Sequence, residues 1–271
     1  MADILFILDT LKYGIAIVLL LGLTASILSP FVVLNEQSLI ADGLSHVSFT
    51  ALVIGIFFMD NPFYIAIPVV VIASVLIKWL IQITKIHADS AIGIVSSFGF
   101  AIGLILIRYT NSSMDLESLI SGNLWFRTSS DVYLTLGLTI MSGLFVVLNY
   151  RKLISITFDY EHAKFSGIKA DLYNYIFAAL TGIFVVIGVR SVGVLLISSL
   201  LIFPVVTANL FAKKFPDLFL IGIIVSVVVI LSGVLLAHVL KQPAGSMIVI
   251  LYTITFMILF LFKTLILRRK T

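Results

Sequence analysis

Apolar residues fill nine stretches of this chain, at 13–34, 39–59, 63–83, 91–109, 132–150, 172–189, 192–211, 218–239 and 246–262, with polar residues gathered between them. Each stretch approaches the roughly 20 residues a helix needs to cross a bilayer core. Backbone N–H and C=O groups in lipid are satisfied only within helices or closed barrels, so runs of this length read as helices. The pattern predicts an all-α, polytopic integral membrane protein of about 8–9 transmembrane helices, by the length that one crossing requires. Those helices form one domain over residues 1–271.

The pattern breaks most sharply at the start of the second stretch. Pro30, Asn35, Glu36 and Asp42 interrupt apolar sequence between 28 and 46, so the second helix is expected to begin inside the membrane. Asp42 and His46 stand four residues apart. At helical spacing they share a face, with Cβ atoms roughly 5–6 Å apart, and one divalent cation could touch both. An acidic residue at mid-helix costs about 2.5–3.5 kcal/mol on insertion scales, so such residues face a partner or a watery path. Two readings stay open for the pair. Either it binds metal, or Asp42 caps the helix by accepting backbone N–H bonds while His46 bonds a neighbouring helix.

Composition narrows the chemistry. Hydrophobic residues make up 61% of the chain and charged ones only 11%, against about 25% charged in soluble domains. The first ten residues hold two aspartates and no basic segment, so they do not read as a cleaved signal peptide. The net charge of +4 comes from Lys and Arg placed between apolar runs, which marks orientation in a membrane rather than nucleic-acid binding. With the N-terminus outside, twelve basic residues fall inside (Lys78, Lys85, Arg151, Lys152, Lys164, Lys169, Lys213, Lys214, Lys263, Arg268, Arg269, Lys270) and five outside (Lys12, Arg108, Arg127, Arg190, Lys241). The absence of cysteine removes disulfides, thiolate ligands and a cysteine nucleophile, leaving nitrogen and oxygen as metal ligands.

Two connections are long for so compact a chain: an outer one at 110–131, with Trp125 and Phe126 placed like interfacial aromatics, and an inner one at 151–171. Both are candidate docking surfaces for other proteins, or else interfacial helices lying on lipid.

Five blocks carry a family resemblance: VVLNEQSLIADGLSHVS (32–48), HADSAIGIVSS (87–97), DLESLISGN (115–123), TFDYEHAKFSGI (157–168) and SVGVLLISSLLIFPVVTANL (191–210). Together, and in this order, they resemble the zinc and manganese class of ATP-binding-cassette importer permeases. The resemblance implies an importer-type permease fold working as a dimer. It also implies a cytoplasmic ATPase pair and an extracytoplasmic metal-binding protein as partners. The family's intramembrane ligands, an acid and a histidine in a D-x-x-x-H block, map onto Asp42 and His46. Two subunits would then offer two carboxylates and two imidazoles to a transported Zn²⁺, or otherwise Mn²⁺, with no prosthetic group. Four such ligands suit tetrahedral zinc, whereas manganese recruits further oxygens. Zinc is the preferred cargo on this reading, supported by the LSHVS form of the block.

Glu161, Ala163 and Gly167 form an E-x-A-x-x-x-G arrangement similar to the coupling helix that such permeases seat in the ATPase. Small residues four apart let a helix face approach a partner closely, and Gly167 would equally end a short helix. The chain has no G-x-x-x-x-G-K-[ST] phosphate loop, so an ATP-driven cycle needs its motor on another polypeptide.

Other polar residues are weighed in turn. Asp89 and Ser90 are expected to cap the fourth helix; His87, at the inner surface, is either a relay for metal leaving the path or, more commonly for such a position, a solvated loop residue, while His162 and His238 stay unassigned. Pro204 should kink its span. With Thr207 and Asn209 it is a candidate for the pathway lining, although hydroxyl and amide side chains more readily bind helices to one another. Gly22, Gly99, Gly103, Gly182 and Gly188 need only close helix packing. Competing readings are a permease for a metal chelate of the siderophore or cobalamin type, an intramembrane metalloenzyme using Asp42 and His46, and a membrane scaffold. The enzyme would need a third ligand and a base. A scaffold leaves the intramembrane acid unexplained.

The charge bias gives a testable topology. A phosphatase fused after the last span should be inactive and a cytoplasm-dependent fluorescent protein bright, whereas the reverse pattern would invert the orientation.

Overall fold

A computed structural model describes residues 2–35, 37–59, 61–109 and 127–268, with side chains described within 12–265. Ten helices run in order among these residues: α1 Ala2–Leu34, α2 Ile40–Phe58, α3 Phe63–Thr84, α4 Ala88–Ile107, α5 Ser129–Phe158, α6 Tyr160–Phe165, α7 Ala170–Val192, α8 Val194–Ala208, α9 Phe215–Leu240 and α10 Ala244–Arg268. Eight are long and apolar enough to cross a membrane. The chain is therefore all-α and polytopic, as the hydropathy pattern predicts.

The exception among the nine apolar stretches is α8. Its 15 residues extend about 22 Å at 1.5 Å per residue, short of the roughly 30 Å core. It follows α7 through the single residue Gly193, whose φ of 88° and ψ of 162° belong to a region essentially restricted to glycine. That turn folds α8 back along α7 so closely that a Cβ on Gly188 would lie 2.0 Å from Ile197 Cδ1.

α1, α2 and α7 form the buried centre, while α4, α5 and α10 lie outermost. Lipid gives helices no hydrophobic reason to associate, so close approach and hydrogen bonding hold them together. Thr24 and Thr139 hydroxyls meet at 2.8 Å between α1 and α5, and Ser26 and Ser226 meet at 2.9 Å between α1 and α9. Phe31 of α1 sets its ring 5.9 Å from Phe177 of α7 and 5.5 Å from Phe215 of α9.

Several sequence expectations shift. The outer connection, 110–131, lies outside the described residues up to 126, together with the 115–123 block. From 128 the chain is ordered by a capping box, in which Asp131 Oδ2 accepts from the Thr128 N–H at 3.1 Å. The inner connection is largely helical: residues 151–158 prolong α5, which bends at Asn149, and α6 follows. α4 is capped at His87 with no side-chain bond, so Asp89 and Ser90 sit inside the first turn and do not cap it. Lys78, counted among the inner charges, is only 7% exposed within α3.

Replacing Gly193 with alanine should cost about 1–3 kcal/mol of stability, the strain of a side chain in that backbone region. A lower unfolding temperature of the detergent-purified protein would show it. An unchanged transition would mean that the turn relaxes.

Candidate intramembrane metal site

α2 is buried along nearly its whole first two-thirds. From Ile40 to Val53, every residue is buried apart from Asp42 and His46. Their side chains are 57% and 36% exposed, respectively, in the single chain, with Asp42 Oδ2 4.0 Å from His46 Nε2. That separation exceeds a hydrogen bond, so neither group satisfies the other. Both are within reach of a shared cation whose ligand bonds would be about 2.0–2.2 Å.

The local sequence accounts for this placement. The helix cap is Leu39, without a side-chain bond. The carboxylate of Asp42 is therefore not used as a cap, and the capping alternative loses its basis. Before the helix, Gln37 N–H donates to the Val32 carbonyl at 3.0 Å and Ile40 N–H to Gln37 at 3.0 Å, which turns the chain tightly from α1 into α2. Ser45 donates to the Asp42 carbonyl at 2.6 Å and Ser48 to Leu44 at 2.7 Å, so these hydroxyls are spent on the backbone.

α4 seals one side of α2. A Cβ on Gly99 would stand 2.9 Å from Val47 Cγ2, and one on Gly103 would stand 2.2 Å from Thr50 Oγ1. Thr50 donates across to the Gly99 carbonyl at 2.6 Å. The Phe100 ring lies 4.8 Å from the His46 imidazole and limits how that ring can turn.

Among the described residues, no group of three or more His, Asp or Glu side chains gathers as a metal site. Of the candidate pathway residues, Pro204 lies against Gly222 of α9, with 3.6 Å from its Cβ to the position a Gly222 Cβ would occupy. The Thr207 hydroxyl is buried without a partner, and Asn209 is exposed beyond the end of α8. Pro204 and Thr207 are both buried within α8, and Pro204 packs against α9.

Of the E-x-A-x-x-x-G residues, Glu161 and Ala163 lie in α6 and Gly167 follows its end. Glu161 is exposed. Ala163 is fully buried against Ile156 of α5 and Ala170 of α7, so the close approach expected towards a partner is made within the chain. Gly167 ends the helix with φ 81°, its N–H donating to the Lys164 carbonyl at 3.1 Å. Phe165, 89% exposed, is the apolar residue α6 presents outward. Its part was hidden in the sequence because the motif drew attention to the small residues.

Eight membrane-length helices, one of which, α2, is sealed from Ile40 to Val53 except at one carboxylate and one imidazole, define a polytopic transport-type membrane protein. The family model described as the ABC 3 transport family matches residues 8–263, and the chain belongs to that family. It is 30% identical to the "Manganese import system permease protein ScaB" of Streptococcus parasanguinis, over 89% of this chain and 86% of that one. It is 29% identical to a "Probable iron transport system membrane protein" of Haemophilus influenzae, over 89% and 86%. Its fold matches the structure of "PsaBC from Streptococcus pneumoniae in complex with Fab" with a TM-score of 0.84 and 27% identity, covering 96% of this chain and 95% of that one.

Proposed function

We propose that this chain is the membrane permease subunit of an ATP-driven importer for a divalent transition metal, with manganese as the favoured cargo. The observation that carries the proposal is that α2, buried from Ile40 to Val53, opens over that stretch only at Asp42 and His46. The expectation of zinc rested on a four-ligand count and on the LSHVS form of the block. Relatives named for manganese and for iron favour a cation that adds oxygen ligands to such a set. A permease for a metal chelate would have little use for a paired carboxylate and imidazole.

Among the described residues a single chain offers two ligands here, so on this reading a second copy of the chain supplies two more across a dimer axis. On this reading ATP hydrolysis falls to a cytoplasmic partner seated on α6, since the sequence holds no phosphate loop, and an extracytoplasmic binding protein delivers the metal. The chain then sits in the cell membrane with its N-terminus outside and its C-terminus in the cytoplasm.

Asp42→Ala and His46→Ala should each reduce manganese uptake by at least about 100-fold, since loss of even an outer-shell partner of a metal costs up to that much. Both proteins should remain in the membrane at wild-type amounts. Normal uptake by both variants would remove the site, and inhibition by chelated but not free metal would favour the chelate permease.

A further inference from the structure

α6 is six residues long and rests on the helices to which it is joined, its buried Ala163 set among Ile156 and Ala170. A push on so small an element reaches the membrane core only if something carries it onward. Asp171, in the first turn of α7, is placed to do so. Its Oδ1 accepts from the Tyr160 hydroxyl of α6 and from Gln82 Nε2 of α3 at 2.8 Å. Its Oδ2 faces Lys164 Nζ of α6 at 3.6 Å. Gln82 Oε1 in turn accepts from the Tyr175 hydroxyl of α7 at 2.6 Å.

The links differ in weight. Lys164 and Asp171 are 57% and 46% exposed, and an exposed ion pair contributes little. Hydrogen bonds from neutral donors to a carboxylate are charge-assisted and stronger. Burial first, and then the bond to Asp171, pushes the Tyr160 hydroxyl up to about 12, so it stays protonated and donating in the cell. α3 packs against α2 and lies against α7, where a Cβ on Gly182 would stand 3.0 Å from Ser74 Oγ.

We infer that Asp171 is a positioning residue for energy coupling. By holding Tyr160 of α6 and Gln82 of α3 on one carboxylate, it turns displacement of α6 into displacement of α3 and of the α2 site beside it. This rests on reading the chain as an ATP-driven permease. A merely structural anchor would change the yield of complex and leave the metal moved per ATP untouched.

The test uses the permease purified with its ATP-hydrolysing partner through a tag on this chain, reconstituted in vesicles with the binding protein. ATP hydrolysis and uptake of radioactive manganese are then measured together. Asp171→Ala removes the shared acceptor, and Gln82→Glu sets a second carboxylate against the first. Each should lower manganese moved per ATP by about tenfold, the scale of one lost charge-assisted hydrogen bond, with hydrolysis near the wild-type rate. Adding Asp171→Asn to Gln82→Glu exchanges amide and carboxylate across the same contact, and should recover most of the wild-type ratio. An unchanged ratio in the single variants, or no recovery in the double variant, overturns the inference. A wild-type complex that hydrolyses ATP but moves no metal overturns the permease reading and this inference with it, and that outcome is visible without any variant.

Discussion

A carboxylate and an imidazole on a helix embedded in hydrocarbon must be answered by something, because no water is at hand to solvate them. Among the described residues, no backbone group or side chain makes a hydrogen bond to either side chain. Asp42 is not a cap, it lies 4.0 Å from His46, and the residues around both on α2 are buried. That unmet demand is the feature the surrounding architecture preserves. A soluble protein could leave such a pair in solvent at no cost, whereas here its persistence requires a purpose-built opening.

Around the pair, α2 is sealed from Ile40 to Val53. Glycines on α4 bring its backbone onto Val47 and Thr50, and Thr50 fastens the contact to the Gly99 carbonyl. Ser45 and Ser48 return their hydroxyls to the helix backbone, so they do not widen the polar patch. α3 and α7 close the other side and lead to the end of the bundle where Asp171 of α7 gathers side chains from α3 and α6. The same packing that isolates the pair also connects it mechanically to α6.

Much of this was legible along the chain. The apolar runs marked the eight membrane-length helices and the short α8, and the four-residue spacing of Asp42 and His46 marked their common face. The shortness of α8 was not legible, because Gly193 looks like any small residue until its backbone conformation is known. Nor was the burial of Lys78, since a lysine near the end of an apolar run normally reaches the interface. The motif on α6 was recognised by its small residues, yet Ala163 packs inward. The bridge joining Gln82, Tyr160, Asp171 and Tyr175 spans 93 positions of sequence, a separation over which no local pattern carries information.

The central claim is that the Asp42 and His46 side chains themselves hold the cation. Pulsed electron spin resonance of Mn²⁺ bound to the purified permease complex reads directly whether an imidazole nitrogen is coordinated. The account predicts a nitrogen coupling that disappears in His46→Gln while the protein stays folded. A bound Mn²⁺ with no nitrogen coupling, or a coupling that survives His46→Gln, would contradict it.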